Sequence, residues 1–216
     1  MAEIYDSEQE QVEALKRWWK ENGTTVVVGL VVGLGAVFGW TTWQDYQRTQ
    51  AETASALYQK QTNELAAENY AESDKAGAEL REEFPSSGYA HLSALVMAKS
   101  AFDQNRAEDA LRHLQSVLES DARRELKLTA RLRMARLMLG SDDTDGALAL
   151  LNVDDLGTFQ ASYDELQADI HVAQGKPEAA RAAYSQALSR LDDASAARRR
   201  VQMKLDDLGH VNIPTG

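Results

Sequence analysis

The stretch that decides the fold is QASYDELQADIHVAQGKPEAARAAYSQAL, residues 160–188. On both sides of Gly175-Lys176-Pro177, small and apolar residues recur every three or four positions, which is typical of a helix with one buried face. Glycine can adopt the left-handed conformation that ends a helix, and proline suits the first turn of the next helix. The stretch is therefore predicted to be a helical hairpin.

Two similar turn signals lie upstream, at Gln104-Asn105 and between Gly140 and Gly146. One alanine sits early in the helix after each of the three turns, and the spacings are 37 and 33 residues. The three are Ala110, Ala147 and Ala180. The spacings are close to the 34 residues of a tetratricopeptide repeat. The sequence thus predicts three repeats over residues 88–193.

The match is best in the last repeat, where small residues and one aromatic follow the tetratricopeptide pattern at Ala168, Gly175, Ala180, Tyr184 and Ala187. The earlier repeats keep Met97-Ala98 and Met134-Ala135 in their first helices, then Leu114 and Leu151 in place of the aromatic. The tryptophan and the closing proline of the pattern are absent. The repeats are degenerate, and generic helical hairpins remain the alternative.

The flanks of the repeats are also predicted to be helical. Residues 44–85 form N-terminal helices that Pro85 ends, before a hinge at Ser86-Ser87-Gly88. Residues 194–208 form an amphipathic helix that can cap a stacked array, and the tail 209–216 is expected to be disordered.

A membrane segment precedes the helices. Residues 24–43 read TTVVVGLVVGLGAVFGWTTW, 20 residues without a charge. As a helix they span about 30 Å, the thickness of a bilayer core. Tryptophan prefers the boundary between lipid and water. All four tryptophans flank the segment and are predicted to lie at the two membrane interfaces: Trp18, Trp19, Trp40 and Trp43. A transmembrane helix is therefore predicted over residues 23–43.

The positive charges around the segment predict its orientation. Lys16, Arg17 and Lys20 precede it, whereas only Arg48 and Lys60 follow within 20 residues. Because positive residues resist translocation, residues 1–22 are expected in the cytoplasm and residues 44–216 outside it. Two GxxxG pairs could let membrane helices approach closely, or could reflect the general frequency of glycine in such helices. They are Gly29 with Gly33, and Gly35 with Gly39.

The cytoplasmic stub, residues 1–22, is short and polar. Ser7 and Glu10 fit a capping box that would start a helix, and Asn22-Gly23 is a plausible break before the membrane segment. The single apolar stripe of this helix suits a membrane surface. It could also dock a cytoplasmic partner.

Composition argues against several function classes. The net charge is −11 and there is no cysteine, which argues against general nucleic-acid binding and excludes thiol chemistry. The histidines are scattered, and Ser141 to Gly146 resembles a calcium loop without its first aspartate or its closing glutamate. Arg198-Arg199-Arg200 fits a solvated helix face. We therefore expect that the chain is not an enzyme and that it binds no metal, cofactor or small-molecule substrate.

What remains is a surface for protein partners. In a stacked array, the first helix of each repeat lines a concave groove. The predicted groove residues are Leu92, Leu95, Lys99, Phe102, Leu132, Arg136 and Leu139. The groove continues at Thr129, then at Ser162, Glu165, Asp169 and Val172. The asparagines of a peptide-carboxylate clamp are missing. The apolar groove residues could instead be covered by the N-terminal helices.

The whole plan resembles the YfgM family of ancillary subunits of the SecYEG translocon. The resemblance rests on EQEQVEALKRWWKENG at residues 8–23, GWTTWQDYQ at 39–47, and the hairpin at 160–188. It implies a single-pass protein of the inner membrane with a periplasmic tetratricopeptide domain. It also implies partnership with the translocon and with the membrane-anchored chaperone PpiD, and a role in handing exported proteins to periplasmic chaperones. The alternative function is a scaffold for envelope assembly or cell division that is independent of the translocon.

Overall fold

The computed structural model describes residues 2–211, with side chains for 10–208. Within this range the fold is all-α, as predicted, and contains no strand. The chain divides into two compact units, Met1–Thr53 and Ala54–Gly216. The helices are α1 (Ala2–Ala66), α2 (Tyr70–Glu83), α3 (Gly88–Asp103), α4 (Ala107–Glu119), α5 (Arg124–Gly140), α6 (Thr144–Leu151), α7 (Gln160–Ala173), α8 (Pro177–Ser189) and α9 (Ala196–Val211). A 3-10 helix, Gly157–Phe159, precedes α7.

The first unit is part of α1, which is long and apolar enough to cross a membrane. The helix is continuous through Asn22-Gly23, where a break was expected. Asn22 Nδ2 donates to the Trp18 carbonyl oxygen at 3.1 Å, and the Trp19 indole lies over Gly23, where a Cβ would be 3.2 Å from the ring. The small Gly23 thus accommodates a bulky neighbour inside the helix.

The start of α1 also differs from the prediction. The helix begins at Ala2, before Ser7, so the proposed capping box does not mark its first turn. The side chain of Ser7 lies outside the described residues.

Over residues 54–211 the second unit consists of four helical hairpins and a final helix. Residues 54–66 of α1 pair with α2, α3 with α4, α5 with α6, and α7 with α8; we call these hairpins 1 to 4. Hairpins 2 to 4 occupy the region predicted to hold three repeats. Hairpin 1 was expected only as a pair of N-terminal helices, and the structure adds it to the array.

The four hairpins share one turn. A residue with a positive φ, between 59° and 67°, lies at the same place in each: Glu68, Asn105, Asp142 and Gly175. The following residue donates its backbone N–H to the carbonyl five residues earlier, as in Lys176 to His171 at 2.9 Å and Asn69 to Glu64 at 2.9 Å. This bond satisfies a carbonyl that the helix end would otherwise leave free. Only the fourth hairpin has glycine there, so the turn does not depend on it.

Small residues mark the contact between the two helices of hairpins 2 to 4. The first helices contribute Ala98, Ala135 and Ala168, and the second helices contribute Ala110, Ala147 and Ala180. All six are at most 3% exposed. Leu114 lies in the same apolar cluster as Ala98, Leu151 in that of Ala135 and Ala147, and Tyr184 in that of Ala168 and Ala180. The alanine spacing in the sequence therefore identified the helix contacts correctly.

Hairpin 1 has a polar contact at the same positions. Gln61 stands where the other first helices have alanine, and Ser73 stands where the other second helices have alanine; both are fully buried. Ser73 Oγ donates to the Gln61 carbonyl oxygen at 2.9 Å, and Gln61 Nε2 donates to the Ser93 carbonyl oxygen at 3.3 Å. The first bond joins the two helices of hairpin 1, and the second connects hairpin 1 to α3 of hairpin 2.

The last helix covers the end of the array, as a capping helix should. Ser195 Oγ accepts from the Arg198 backbone N–H at 3.1 Å and so caps α9, while Val201 and Leu208 are buried against hairpin 4. The helix continues past Gly209 to Val211, beyond the predicted boundary at 208. Residues 212–216, the rest of the predicted tail, lie outside the described residues.

Candidate functional site

The first helices of hairpins 2 to 4 form one side of the array. The central helix α5 packs against both α3 and α7, as expected for the helices that line the concave side of a stacked array. We call the exposed and half-buried residues on this side the inner face. They are Leu92, Lys99, Phe102, Thr129, Arg133, Arg136, Leu139 and Val172.

Three predicted groove residues, Leu95, Leu132 and Glu165, are buried and do not belong to this surface. Leu95 is 6% exposed and Leu132 is 7% exposed, and each is part of an apolar core cluster. Packing between neighbouring first helices covers them, so they stabilise the array and cannot contact a partner. The helix period predicted which side they are on but could not reveal how closely the next helix approaches.

An apolar position recurs along the array, and three of its five residues lie on the inner face. It is Leu65 in hairpin 1, Phe102 in hairpin 2, Leu139 in hairpin 3, Val172 in hairpin 4 and Leu205 in α9. Phe102 is 56% exposed and Val172 is 43% exposed, whereas Leu139 is half-buried against the core of hairpin 3. The inner face therefore leaves apolar side chains open at two of these places.

The acidic groove positions Glu165 and Asp169 are already paired within the chain. Glu165, on α7, accepts from Arg200 at 2.7 and 2.8 Å and from Lys204 Nζ at 2.9 Å. Lys204 also donates to Asp169, at 2.7 Å to Oδ2. Both cations belong to α9, so the capping helix is held by charge as well as by apolar contact.

These contacts change the pKa values of Glu165 and Tyr184. Burial alone would raise the pKa of Glu165, but the donors from Arg200 and Lys204 outweigh it and lower the pKa to about 2. Burial and the Asp169 carboxylate raise the pKa of Tyr184, whose hydroxyl donates to Asp169 Oδ1 at 2.6 Å. Glu165 is therefore ionised at neutral pH, whereas Tyr184 keeps its proton and donates it to Asp169, which fits a structural role.

One inner-face residue was missed in the sequence. Arg133 Nη1 donates to the Leu95 carbonyl oxygen at 3.1 Å and so bridges α5 and α3. Burial lowers the pKa of Arg133, the neighbouring Arg136 lowers it further, and Tyr58 acts in the opposite direction. Arg133 precedes Arg136 by three residues, which puts both on one side of α5. That spacing was the available signal.

The predicted membrane residues belong to the first unit. The four tryptophans are 49 to 59% exposed, and their rings form two neighbouring pairs with centroids 6.4 Å apart for Trp18 and Trp19 and 5.4 Å apart for Trp40 and Trp43. The glycines of the GxxxG pairs have open space around them: a Cβ on Gly29, Gly33, Gly35 or Gly39 would meet nothing within 4 Å. Contact of these glycines with another helix stays a prediction.

Two of the histidines and one aspartate of the calcium-like loop have structural partners. His91 Nε2 lies 3.1 Å from Asp121, and His171 Nδ1 lies 3.4 Å from the Gln174 side chain. In the acidic loop before α6, Asp143 accepts from the Gly146 backbone N–H at 3.0 Å and caps the helix. Among the described residues, no three histidine or carboxylate side chains converge as a metal site would require.

Comparison with protein families agrees with this architecture. The family described as "Tetratricopeptide repeat-like domain" matches residues 16–210. Two solved structures share the fold. A tetratricopeptide repeat protein from Parabacteroides merdae is 13% identical, with a TM-score of 0.58, and the match covers 74% of this chain and 61% of that one. The MamA protein is 15% identical, with a TM-score of 0.55, and the match covers 74% and 87%.

Relatives with greater sequence similarity extend over nearly the whole chain. A protein from Escherichia coli K12 is 31% identical over 206 residues, which cover 95% of this chain and 98% of the relative. One from Neisseria gonorrhoeae is 29% identical over 204 residues, which cover 93% and 97%. Both are named "Ancillary SecYEG translocon subunit". The similarity includes the apolar part of α1 as well as the helical array.

Proposed function

The chain belongs to the tetratricopeptide repeat-like family of ancillary SecYEG translocon subunits, and from this membership we propose that it is a protein-binding scaffold attached to the inner membrane beside the translocon. Its role is to bind proteins rather than to catalyse a reaction. The inner face of the helical array contacts the partners, and the apolar segment of α1 keeps that face near the site where exported proteins emerge.

The observation that carries this proposal is the exposure of apolar side chains at a repeated position. Phe102 and Val172 remain open at equivalent places on α3 and α7, whereas Leu95 and Leu132 are buried. Tetratricopeptide-like arrays use such a lining to hold extended or helical segments of other proteins. A partner that covers Phe102 and Val172 removes apolar surface from water, which favours association.

Orientation is part of the proposal. Lys16, Arg17 and Lys20 precede the apolar segment, and positive residues resist translocation. The array then lies in the periplasm, and the tryptophan pairs lie at the two membrane surfaces. In this arrangement residues 54–211 can meet a polypeptide that leaves the translocon.

A membrane-anchored chaperone is a second proposed partner. The resemblance to the YfgM family implies that the membrane-anchored chaperone PpiD is a partner. A scaffold without catalytic groups can assist exported proteins by bringing them near a chaperone, because tethering two binders raises their effective concentration.

Site-specific crosslinking tests the proposal. A photoreactive amino acid replaces Phe102 on the inner face, and in a matched control it replaces Ser185, which is exposed on α8. In native membranes, adducts with translocon subunits or with PpiD are expected from position 102 and not from position 185. Adducts only with cell-wall or division proteins would support the alternative scaffold, and equal labelling at both positions would disprove a role for the inner face.

A further inference from the structure

The helix α5 carries an unusual excess of positive charge. It contains Glu125 and five cations: Arg124, Lys127, Arg131, Arg133 and Arg136. Residues 44–216 as a whole have 28 acidic and 20 basic residues. Arg124 lies 3.7 Å from the Asp155 carboxylate, whereas the other four cations have no ion pair with the side chains of residues 10–208. Positive charge is therefore concentrated on a helix of an otherwise acidic array.

Two of these cations lie on the inner face. Arg133 and Arg136 project from the same side of α5, and because like charges repel, each makes the binding of an anion beside the other more favourable. The single contact of Arg133 with the Leu95 carbonyl oxygen leaves most of its five N–H donors free to bind another group. A carboxylate is the group that best matches the planar donors of arginine.

The acidic residues of α7 and the basic residues of α5 differ in whether their charges are compensated within the chain. On α7, Glu165 and Asp169 are already bound by Arg200 and Lys204 from α9. On α5, Arg133 and Arg136 have no such partners among the described side chains. Exposed Phe102 on α3 and half-buried Leu139 on α5 provide apolar surface on the same face. The part of the inner face that is available to a partner therefore combines positive charge with apolar surface.

We propose that the inner face binds a polypeptide segment in which acidic residues stand next to apolar ones, with carboxylates on Arg133 and Arg136 and apolar side chains on Phe102. This inference rests on the proposed function and names the chemistry of the partner. A polypeptide fits better than a nucleic acid because the acid excess of residues 44–216 repels an extended polyanion. Apolar contact beside the arginines likewise favours an amphipathic segment.

The test uses the full chain in nanodiscs of zwitterionic lipid. The probe is a fluorescent peptide of about a dozen residues that contains Glu, Asp, Leu and Phe, and its counterpart has Lys in place of every acid. The wild-type chain should bind the acidic peptide at least about tenfold more tightly than the lysine peptide, and salt should weaken this preference.

Charge reversal provides the decisive comparison. Arg133→Glu with Arg136→Glu should weaken binding of the acidic peptide at least about tenfold and strengthen binding of the lysine peptide. Lys127→Glu with Arg131→Glu makes the same charge change on the opposite side of α5, and should leave both affinities within about twofold. Circular dichroism establishes that both double variants remain folded.

The other outcomes separate this inference from the proposed function. Equal affinity for the two peptides, or an acidic peptide retained by the Arg133→Glu, Arg136→Glu variant, overturns the inference. If Phe102→Ala then weakens the binding of both peptides, the inner face binds by apolar contact and the scaffold proposal stands. If a short-chain phosphatidylglycerol binds and neither peptide does, the arginines form a lipid-headgroup site, and this result also overturns the inference. Acidic-peptide binding without translocon adducts in native membranes contradicts the proposed function alone.

Discussion

Gln61 occupies the space that Gly77 leaves open: a Cβ on Gly77 would lie 2.3 Å from Gln61 Nε2. In hairpins 2 to 4 the corresponding first-helix residue is alanine and the corresponding second-helix residue is leucine or tyrosine. Hairpin 1 reverses these sizes, because the first helix has the large residue Gln61 and the second helix has Gly77, which has no side chain. Its contact is also polar, because the buried Gln61 bonds to the Ser93 carbonyl oxygen.

Gly77→Ala should therefore destabilise the array. The added methyl group overpacks a buried contact, which costs about 1–3 kcal/mol. Thermal unfolding of the full chain in detergent, followed by circular dichroism, measures the loss. Gly88→Ala is the matched control, because a Cβ there meets nothing within 4 Å. Adding Gln61→Ala to Gly77→Ala should recover part of the lost stability, and a double variant less stable than Gly77→Ala would contradict the size exchange.

Ala180→Trp tests the helix contact in hairpin 4. Ala180 is fully buried between α7 and α8, so the indole should overpack the contact and cost about 1–3 kcal/mol or more. Ala182→Trp, at an exposed position on α8, should unfold at nearly the wild-type temperature. Similar melting of both variants would be inconsistent with the close helix contact.

The contribution of the capping helix α9 to stability should decrease at acidic pH. Because the pKa of Glu165 is lowered to about 2 in the folded chain, its ion pairs contribute fully above the pKa of the unfolded chain, about 4.3. That contribution decreases as the pH falls from there towards 2. Glu165→Gln should lower the unfolding temperature at pH 7 and flatten its decrease between pH 5 and pH 3. Glu178→Gln, an exposed carboxylate on α8, is the control, and an equal change in both variants would argue against the role of Glu165.

Two inner-face substitutions should differ in their effect on folding. Phe102→Asp replaces an exposed residue and should leave the unfolding temperature nearly unchanged while weakening partner capture. Leu139→Asp forces a charge against the core of hairpin 3 and should cost about 1–3 kcal/mol. Circular dichroism and crosslinking on the two single variants measure these effects. A folded Phe102→Asp variant with undiminished capture would exclude Phe102 from the binding surface.

Orientation can be tested with single cysteines, since the chain has none of its own. A cysteine at Ser185, exposed on α8, should react with an impermeant thiol reagent in intact spheroplasts, and one at Ser7 should react only after lysis. Ser195 is less suitable because its hydroxyl caps α9. The opposite labelling pattern would place the array in the cytoplasm and contradict the translocon proposal.

The sequence predicted the repeats well where close helix contact demands one residue type. Ala110, Ala147 and Ala180 revealed hairpins 2 to 4 because only a small side chain fits there. Hairpin 1 was missed as a repeat because Gln61 and Gly77 achieve the same contact with exchanged sizes, which no alanine pattern reveals. The apolar segment of α1 was equally evident from its composition.

The inner face was predicted less completely for a related reason. Helix periodicity gives the side of a helix but not the distance to the next helix, so Leu95 and Leu132 could not be distinguished from Phe102. Arg133 was overlooked because it lies next to the expected groove positions, and its contact with the Leu95 carbonyl oxygen depends on the packing of α3 against α5.

The shared turn of the four hairpins makes the array modular. The left-handed residues Glu68, Asn105 and Asp142 follow one another at equal intervals of 37 residues, and the chain enters and leaves each interval in the same conformation. If one such interval were duplicated in tandem, its ends would match the turns on either side, and the inner face would become longer by one first helix. Gene duplication or protein engineering could change the length of the bound segment in this way without any change in the turns between the helices.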